Sequence, residues 1–122
     1  MNSLEKEFVP YEQALELKEL GFNEPCFMQW TYAPKLIPCI CDWGKLTPKT
    51  NQESYYGSIG DCISAPTFSQ AFRWFREKYN LKDKYGVFPH HTIMFNYIIG
   101  GGKEEEAELA CLIKLIEIVK NK

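Results

Sequence analysis

The sequence predicts a single α+β domain, an antiparallel or mixed sheet of three to four strands packed with three helices in the order α-β-β-(β)-α-β-α. Three observations carry this expectation. Apolar residues recur at helical spacing in three separated stretches, they alternate with a period of two in others, and a length of 122 residues suits one core. Residues 1–122 contain no internal repeat or low-complexity tract. With 45% hydrophobic and 25% charged residues, the composition is that of a globular chain rather than a disordered or fibrous one.

The first helix follows Phe8-Val9-Pro10, where YEQALELKEL runs into Gly21 with proline at the first turn and glycine just past the end. Tyr11, Ala14, Leu15, Leu17 and Lys18 are expected on its inner side. Glu12, Glu16 and Glu19 line the outer side, as a solvated face or a docking surface for a basic partner. From Cys26 to Ala33 alternation predicts a strand that Pro34 stops. Leu36 to Asp42 reads as a second strand, placed at an edge by Pro38. Residues 43–53, with Gly44 and Pro48, are expected to be a mobile loop, and Ser54 to Ile63 a third strand interrupted by Gly57 and Gly60.

Phe68, Ala71, Phe72, Phe75 and Tyr79 form an unbroken apolar stripe and predict the second helix, with Trp74 and Lys78 on its flank. Thr67 with Gln70 can form a capping box at its start, unless Ser64 caps it a turn earlier. His91 to Ile99 alternates and is apolar on both faces, which predicts a central strand opened by His90 and His91. The triplet Gly100-Gly101-Gly102, expected as flexible or bulged backbone, then leads into a last helix over 103–120. Apolar residues cover more than half of that helix. Either it packs on two sides, or Leu109, Leu112, Ile116 and Val119 form a homodimer face.

The formal charge is -2, with -4 on residues 1–24, +1 on 25–60, +2 on 61–89 and -1 on 90–122. A mildly basic middle is too weak an electrostatic footprint for nucleic-acid binding, so no such partner is expected. The start MNSLEKEFVPYEQ lacks the basic and apolar pattern of a signal peptide, and no apolar run is long enough to span a bilayer. A cytoplasmic protein without membrane contact is expected, with its five cysteines reduced.

Cys39-x-Cys41 on a strand would share a face, and Cys26, Cys62, His90 and His91 are further soft ligands. The paired C-x2-C spacing of zinc ribbons is missing, and a buried thiol behaves as a small hydrophobe, so no metal or other cofactor is assigned. A nucleophile at Cys41 or Cys62 with His90 or His91 and Asp42 or Asp61 is compositionally available. No catalytic signature surrounds those residues, and no catalytic residue is assigned. Glu104, Glu105 and Glu106 would repel a phosphate at the glycine triplet. Arg73, Trp74, Arg76, Lys78 and Tyr85, with Lys82 and Lys84 nearby, form the candidate contact patch, set against the reading of a solvated basic helix end. Aromatic residues reach 15%, and Trp30, Trp43, Trp74, Tyr55, Tyr56 and Tyr85 exceed what the predicted core stripes use; an exposed cluster of them would be a binding surface.

Four stretches carry a resemblance: FVPYEQALELKELGFNEPC at 8–26, SAPTFSQAFRWFREKYNL at 64–81, YIIG at 97–100 and EEAELACLIKLIEIVKNK at 105–122. Together they cover about half the chain and resemble a family of small uncharacterised proteins of bacteriophages and prophages in Bacteroidetes-type bacteria. Residues 27–63 and 82–96 follow no shared pattern, and GGGK stands where that family tends to carry a longer polar-aromatic stretch. The resemblance implies a phage-encoded cytosolic protein with no catalytic residues to transfer. Its partner would be a host or phage protein, met through the unmatched strands and loops.

Overall fold

A computed structural model describes residues 5–31, 34–39, 47–51, 55–56, 60–81 and 90–121, and its class is α+β. Two compact units divide the chain, Met1–Thr67 and Phe68–Lys122.

The first unit begins with a 3-10 turn over Glu5–Glu7 and helix α1, Tyr11–Glu19. Two backbone bonds end α1: Gly21 N–H donates to Lys18 O at 3.0 Å and Phe22 N–H to Leu17 O at 2.9 Å. Gly21 has φ 97°, the left-handed conformation glycine adopts at least cost. Phe22 and Leu17 are both buried, so the turn also brings an apolar pair together, the Schellman arrangement. The inner face is narrower than the spacing predicts. Ala14 and Leu17 are buried, but Leu15 and Lys18 are exposed, because a nine-residue helix needs only its i, i+3 stripe to seat on the sheet.

The sheet has the order β2-β1-β5, with β1 at Met28–Trp30, β2 at Leu36–Pro38 and β5 at Ile63–Ser64, all antiparallel. Met28 pairs with Pro38, and Gln29 lies between Ile37 and Ser64. Pro38 thus sits on an edge strand, where its missing N–H costs no ladder bond. The stretch expected as one interrupted third strand is divided. β3 (Tyr55–Tyr56) and β4 (Gly60–Asp61) pair antiparallel with each other, apart from the three-stranded sheet that holds β5.

Trp30 faces the N-terminal segment: its indole N–H donates to Val9 O at 2.9 Å, and its ring meets Tyr11 edge-on at 6.3 Å. Trp30 is buried and therefore belongs to the core rather than to a surface surplus. Residues 47–51 are anchored, contrary to the mobile loop expected there. Cys26 and Lys49 exchange two backbone bonds of 2.9 Å, and Thr47 N–H donates to Cys39 O at 2.8 Å. Asn51 donates from Nδ2 to Phe22 O at 2.7 Å and accepts the Ser64 N–H on Oδ1 at 2.8 Å.

In the second unit, helix α2 spans Phe68–Tyr79, α3 His90–Ile99 and α4 Glu104–Lys120. α2 buries Phe68, Ala71, Phe72, Trp74 and Phe75, close to the predicted stripe. It stops at Asn80, whose φ of 47° ends the helical run.

The segment expected as the central strand is instead α3. In HHTIMFNYII both faces are apolar, so a period of two and a period of 3.6 describe it equally well. Ten residues without an internal Gly or Pro, preceded by Pro89 and followed by glycine, meet the helix criteria of length and boundary. The chain leaves α3 through a second Schellman turn: Gly101 N–H donates to Ile98 O at 3.0 Å and Gly102 N–H to Tyr97 O at 3.1 Å. Gly101 carries φ 97°. The triplet is thus a helix stop rather than a bulge.

α4 packs against both α2 and α3, which accounts for its broad apolar surface. Ala107, Cys111, Leu112, Leu115 and Ile116 are buried. Of the four residues expected on a homodimer face, Leu112 and Ile116 are buried within the chain and Leu109 and Val119 are half-buried.

Candidate functional site

The α3–α4 turn presents the most distinctive described surface. α3 is apolar on both faces, yet its last turn is solvent-facing, with Tyr97 and Ile98 exposed and Ile99 67% exposed. Asn96, Tyr97, Gly100, Gly101, Gly102 and Glu106 line an open cleft of about 530 Å³ beside that turn. The Tyr97 hydroxyl donates to Glu106 Oε2 at 3.3 Å, tying the end of α3 to the first turn of α4. Desolvation of the phenol and the adjacent Glu106 carboxylate both push the Tyr97 hydroxyl above its ordinary pKa. A Cβ at position 102 would overlap the Tyr97 ring, so glycine is required there for the ring to lie against the turn.

Chemically this cleft can bind but carries no nucleophile. It combines an aromatic ring, a carboxamide and a carboxylate, and the exposed Ile98 and Ile99 lie on the same helical turn as Tyr97.

Burial removes Trp74 from the candidate contact patch on α2. Arg73, Arg76 and Lys78 are exposed, but Trp74 is only 6% exposed and does not flank the helix as a contact ring. Its ring packs on Phe75 at 5.1 Å and edge-on to Tyr79 at 5.5 Å. Lys78 Nζ covers it at 5.0 Å from the centroid. A large amphipathic ring gains more from enclosure than from display, and Lys78 uses its stem as the lid. Tyr85, with Lys82 and Lys84, lies outside the described residues.

The described cysteine candidates are enclosed rather than displayed. Cys26, Cys39, Cys62 and Cys111 are buried. Burial pushes the Cys39 thiol up to about 11, against the lowering effect of Lys49. Cys111 rises to about 12 from burial and from Glu108. Thiols held protonated in this way are poor nucleophiles and poor metal ligands. His90 and His91 open α3; Cys41 lies outside the described residues. Among the described residues no three His, Cys, Asp or Glu assemble as a metal site. Of the remaining surplus aromatics, Tyr55 and Tyr56 form β3, while Trp43 is outside the described residues.

Two features escape the sequence reading. The exposed end of α3 is invisible once the segment is read as a strand, although Pro89 and Gly101 bracket it as a helix. The Asn51 clamp is invisible because its partners lie 29 and 13 residues away. Comparison with protein-family models, curated proteins and solved structures finds no match to this chain. Among the described residues no helix is long and apolar enough to cross a membrane.

Proposed function

We propose that this chain is a non-enzymatic accessory protein of a bacteriophage or prophage, acting in the host cytoplasm by docking on a host or phage protein. The observation that carries the docking reading is the exposed apolar end of α3, where Tyr97, Ile98 and Ile99 face solvent beside the Tyr97–Glu106 cleft. Apolar side chains grouped on one helical turn lose free energy to water, and a partner that covers them recovers it. The phage origin rests on the sequence words at 8–26, 64–81, 97–100 and 105–122. Three of those four words fall on α1, α2 and α4, and α4 is the helix on which the turn is seated.

The test is site-directed photocrosslinking in a bacterial host carrying the phage. A photoreactive residue at Ile99 should give one discrete protein adduct, whereas the same residue at Glu77, exposed on α2, should give none. The adduct should disappear when Ile98→Asp is added. Absence of an adduct at 99, or equal labelling from 77, refutes docking through this turn.

A further inference from the structure

The buried polar side chains among the described core residues, Gln29, Thr31 and Ser64, share one face of the three-stranded sheet. Gln29 and Thr31 are two positions apart on the central chain, and Ser64 stands opposite Gln29 on β5. Trp30 and Ile63, one position along, point to the opposite face, where Trp30 bonds Val9. Thr31 Oγ1 accepts the Lys35 N–H at 3.2 Å, and the Ser64 hydroxyl donates to Lys49 O at 3.4 Å. Gln29 differs from both. It is 0% exposed, and neither its Oε1 nor its Nε2 has a hydrogen-bond partner among the described residues.

An amide in that position is not neutral ballast. Leaving its carbonyl and its N–H groups unpaired costs their full desolvation, and native interiors pair nearly all such groups. The side chains around it constrain what can satisfy it. Ile37, opposite on β2, offers no polar atom, and Cys39 and Cys62 on the same face are weak partners at best. The Cys39 thiol, held protonated by burial, marks surroundings that penalise charge, which disfavours an ion. What satisfies both ends of a buried amide beside two short hydroxyl side chains is a small neutral molecule able both to donate and to accept.

We propose that Gln29 holds an internal water molecule on this sheet face, bridging its amide to the Ser64 hydroxyl. The water donates to Gln29 Oε1 and to a lone pair of Ser64 Oγ, and accepts from Gln29 Nε2, which brings three polar contacts to one buried site. It also gives the polar pair a structural role. A one-residue slip of β1 would carry Gln29 to the Trp30 side, away from Ser64 and the water, so the hydrated pair pins the register.

The experiment is oxygen-17 magnetic relaxation dispersion on the full chain and on Gln29→Met, which keeps the volume and removes both polar atoms. The expected result is one long-lived water fewer in the variant, with an unchanged or lowered thermal midpoint. An identical dispersion in both proteins overturns the proposal, as does a raised midpoint, which is the signature of an amide that had no partner. If Gln29→Met fails to fold, the wild-type chain decides alone. Cross-relaxation from water to the Gln29 side-chain amide protons, with the sign of a long-lived contact, supports the site, and its absence overturns it.

Discussion

Asn51 shows how much one side chain contributes when both of its ends are used. Its Nδ2 donates to Phe22 O and its Oδ1 accepts from Ser64 N–H, so a single amide ties the end of the α1 turn to the outer edge of β5. Ser64 is buried, and among the described residues no strand lies beyond β5 to receive its N–H. Asn51→Ala therefore strands a buried donor and removes the donor to Phe22 O. The expected loss is about 2–3 kcal/mol, measured by urea denaturation. Asn51→Asp keeps the acceptor for Ser64 and should lose less. Nothing local in TPKTNQ announces this role; a polar residue between Thr50 and Gln52 looks like loop filler until its partners across the chain are known.

At the scale of elements, the glycine triplet makes three different demands in three consecutive positions. Gly101 has φ 97°, and the point where a side chain's first carbon would stand has nothing within 4 Å, so the cost of Gly101→Ala is conformational alone, about 1–2 kcal/mol. Gly100 has ordinary backbone, and a Cβ there would meet Asn96 O and Tyr97 O at 3.5 Å, normal contact distance. Gly100→Ala should accordingly stabilise the protein by about 0.4–1 kcal/mol by restricting the unfolded chain. Thermal denaturation of the two variants should shift in opposite directions.

The same contrast separates scaffold from surface on the helices. Phe75→Ala, at a fully buried position of α2, should cost about 3–5 kcal/mol. Ile99→Asp, on the exposed end of α3, should stay within about 0.5 kcal/mol of the parent. A loss of docking in Ile99→Asp with unchanged stability would place the effect on the surface. Helix α2 was legible because Phe68, Ala71, Phe72 and Phe75 repeat on one side only. Helix α3 was not, because a segment that is apolar all round has no face to give its period away.

Over the molecule as a whole, burial lifts the titration of one thiol in each unit, Cys39 and Cys111, and this gives stability a defined dependence on alkaline pH. Burial raises Cys39 to about 11 and Cys111 to about 12 from the ordinary thiol value of 9.0. Above pH 9 the unfolded chain releases these protons while the folded chain keeps them, so the unfolded state binds fewer protons and is favoured as pH rises. The stabilisation is complete below pH 9.0 and is lost as pH climbs towards about 11 for Cys39 and about 12 for Cys111. Denaturation midpoints followed across that window should fall less steeply in Cys39→Ala and in Cys111→Ala than in the parent. At neutral pH a thiol reagent should reach Cys26, Cys39, Cys62 and Cys111 only as the chain unfolds.

Taken by itself, the sequence determined the α+β class, three of the four α-helices among the described residues, the strands that contain Met28–Trp30 and Leu36–Pro38, and the position of Pro38 at an edge of the described sheet. All of these rest on short-range signals: one-sided periodicity, proline where an N–H is not needed, and glycine or asparagine where a helix must stop. Only the tertiary structure decided that His90–Ile99 is helical, that Trp30 and Trp74 are enclosed, that Leu112 and Ile116 are buried within the chain, and that Asn51 and Gln29 are structural. Each of these depends on which distant surface covers a residue. An apolar side chain gains the same free energy against any apolar partner, so its sequence neighbours cannot say whether that partner is the core, a second helix or another molecule.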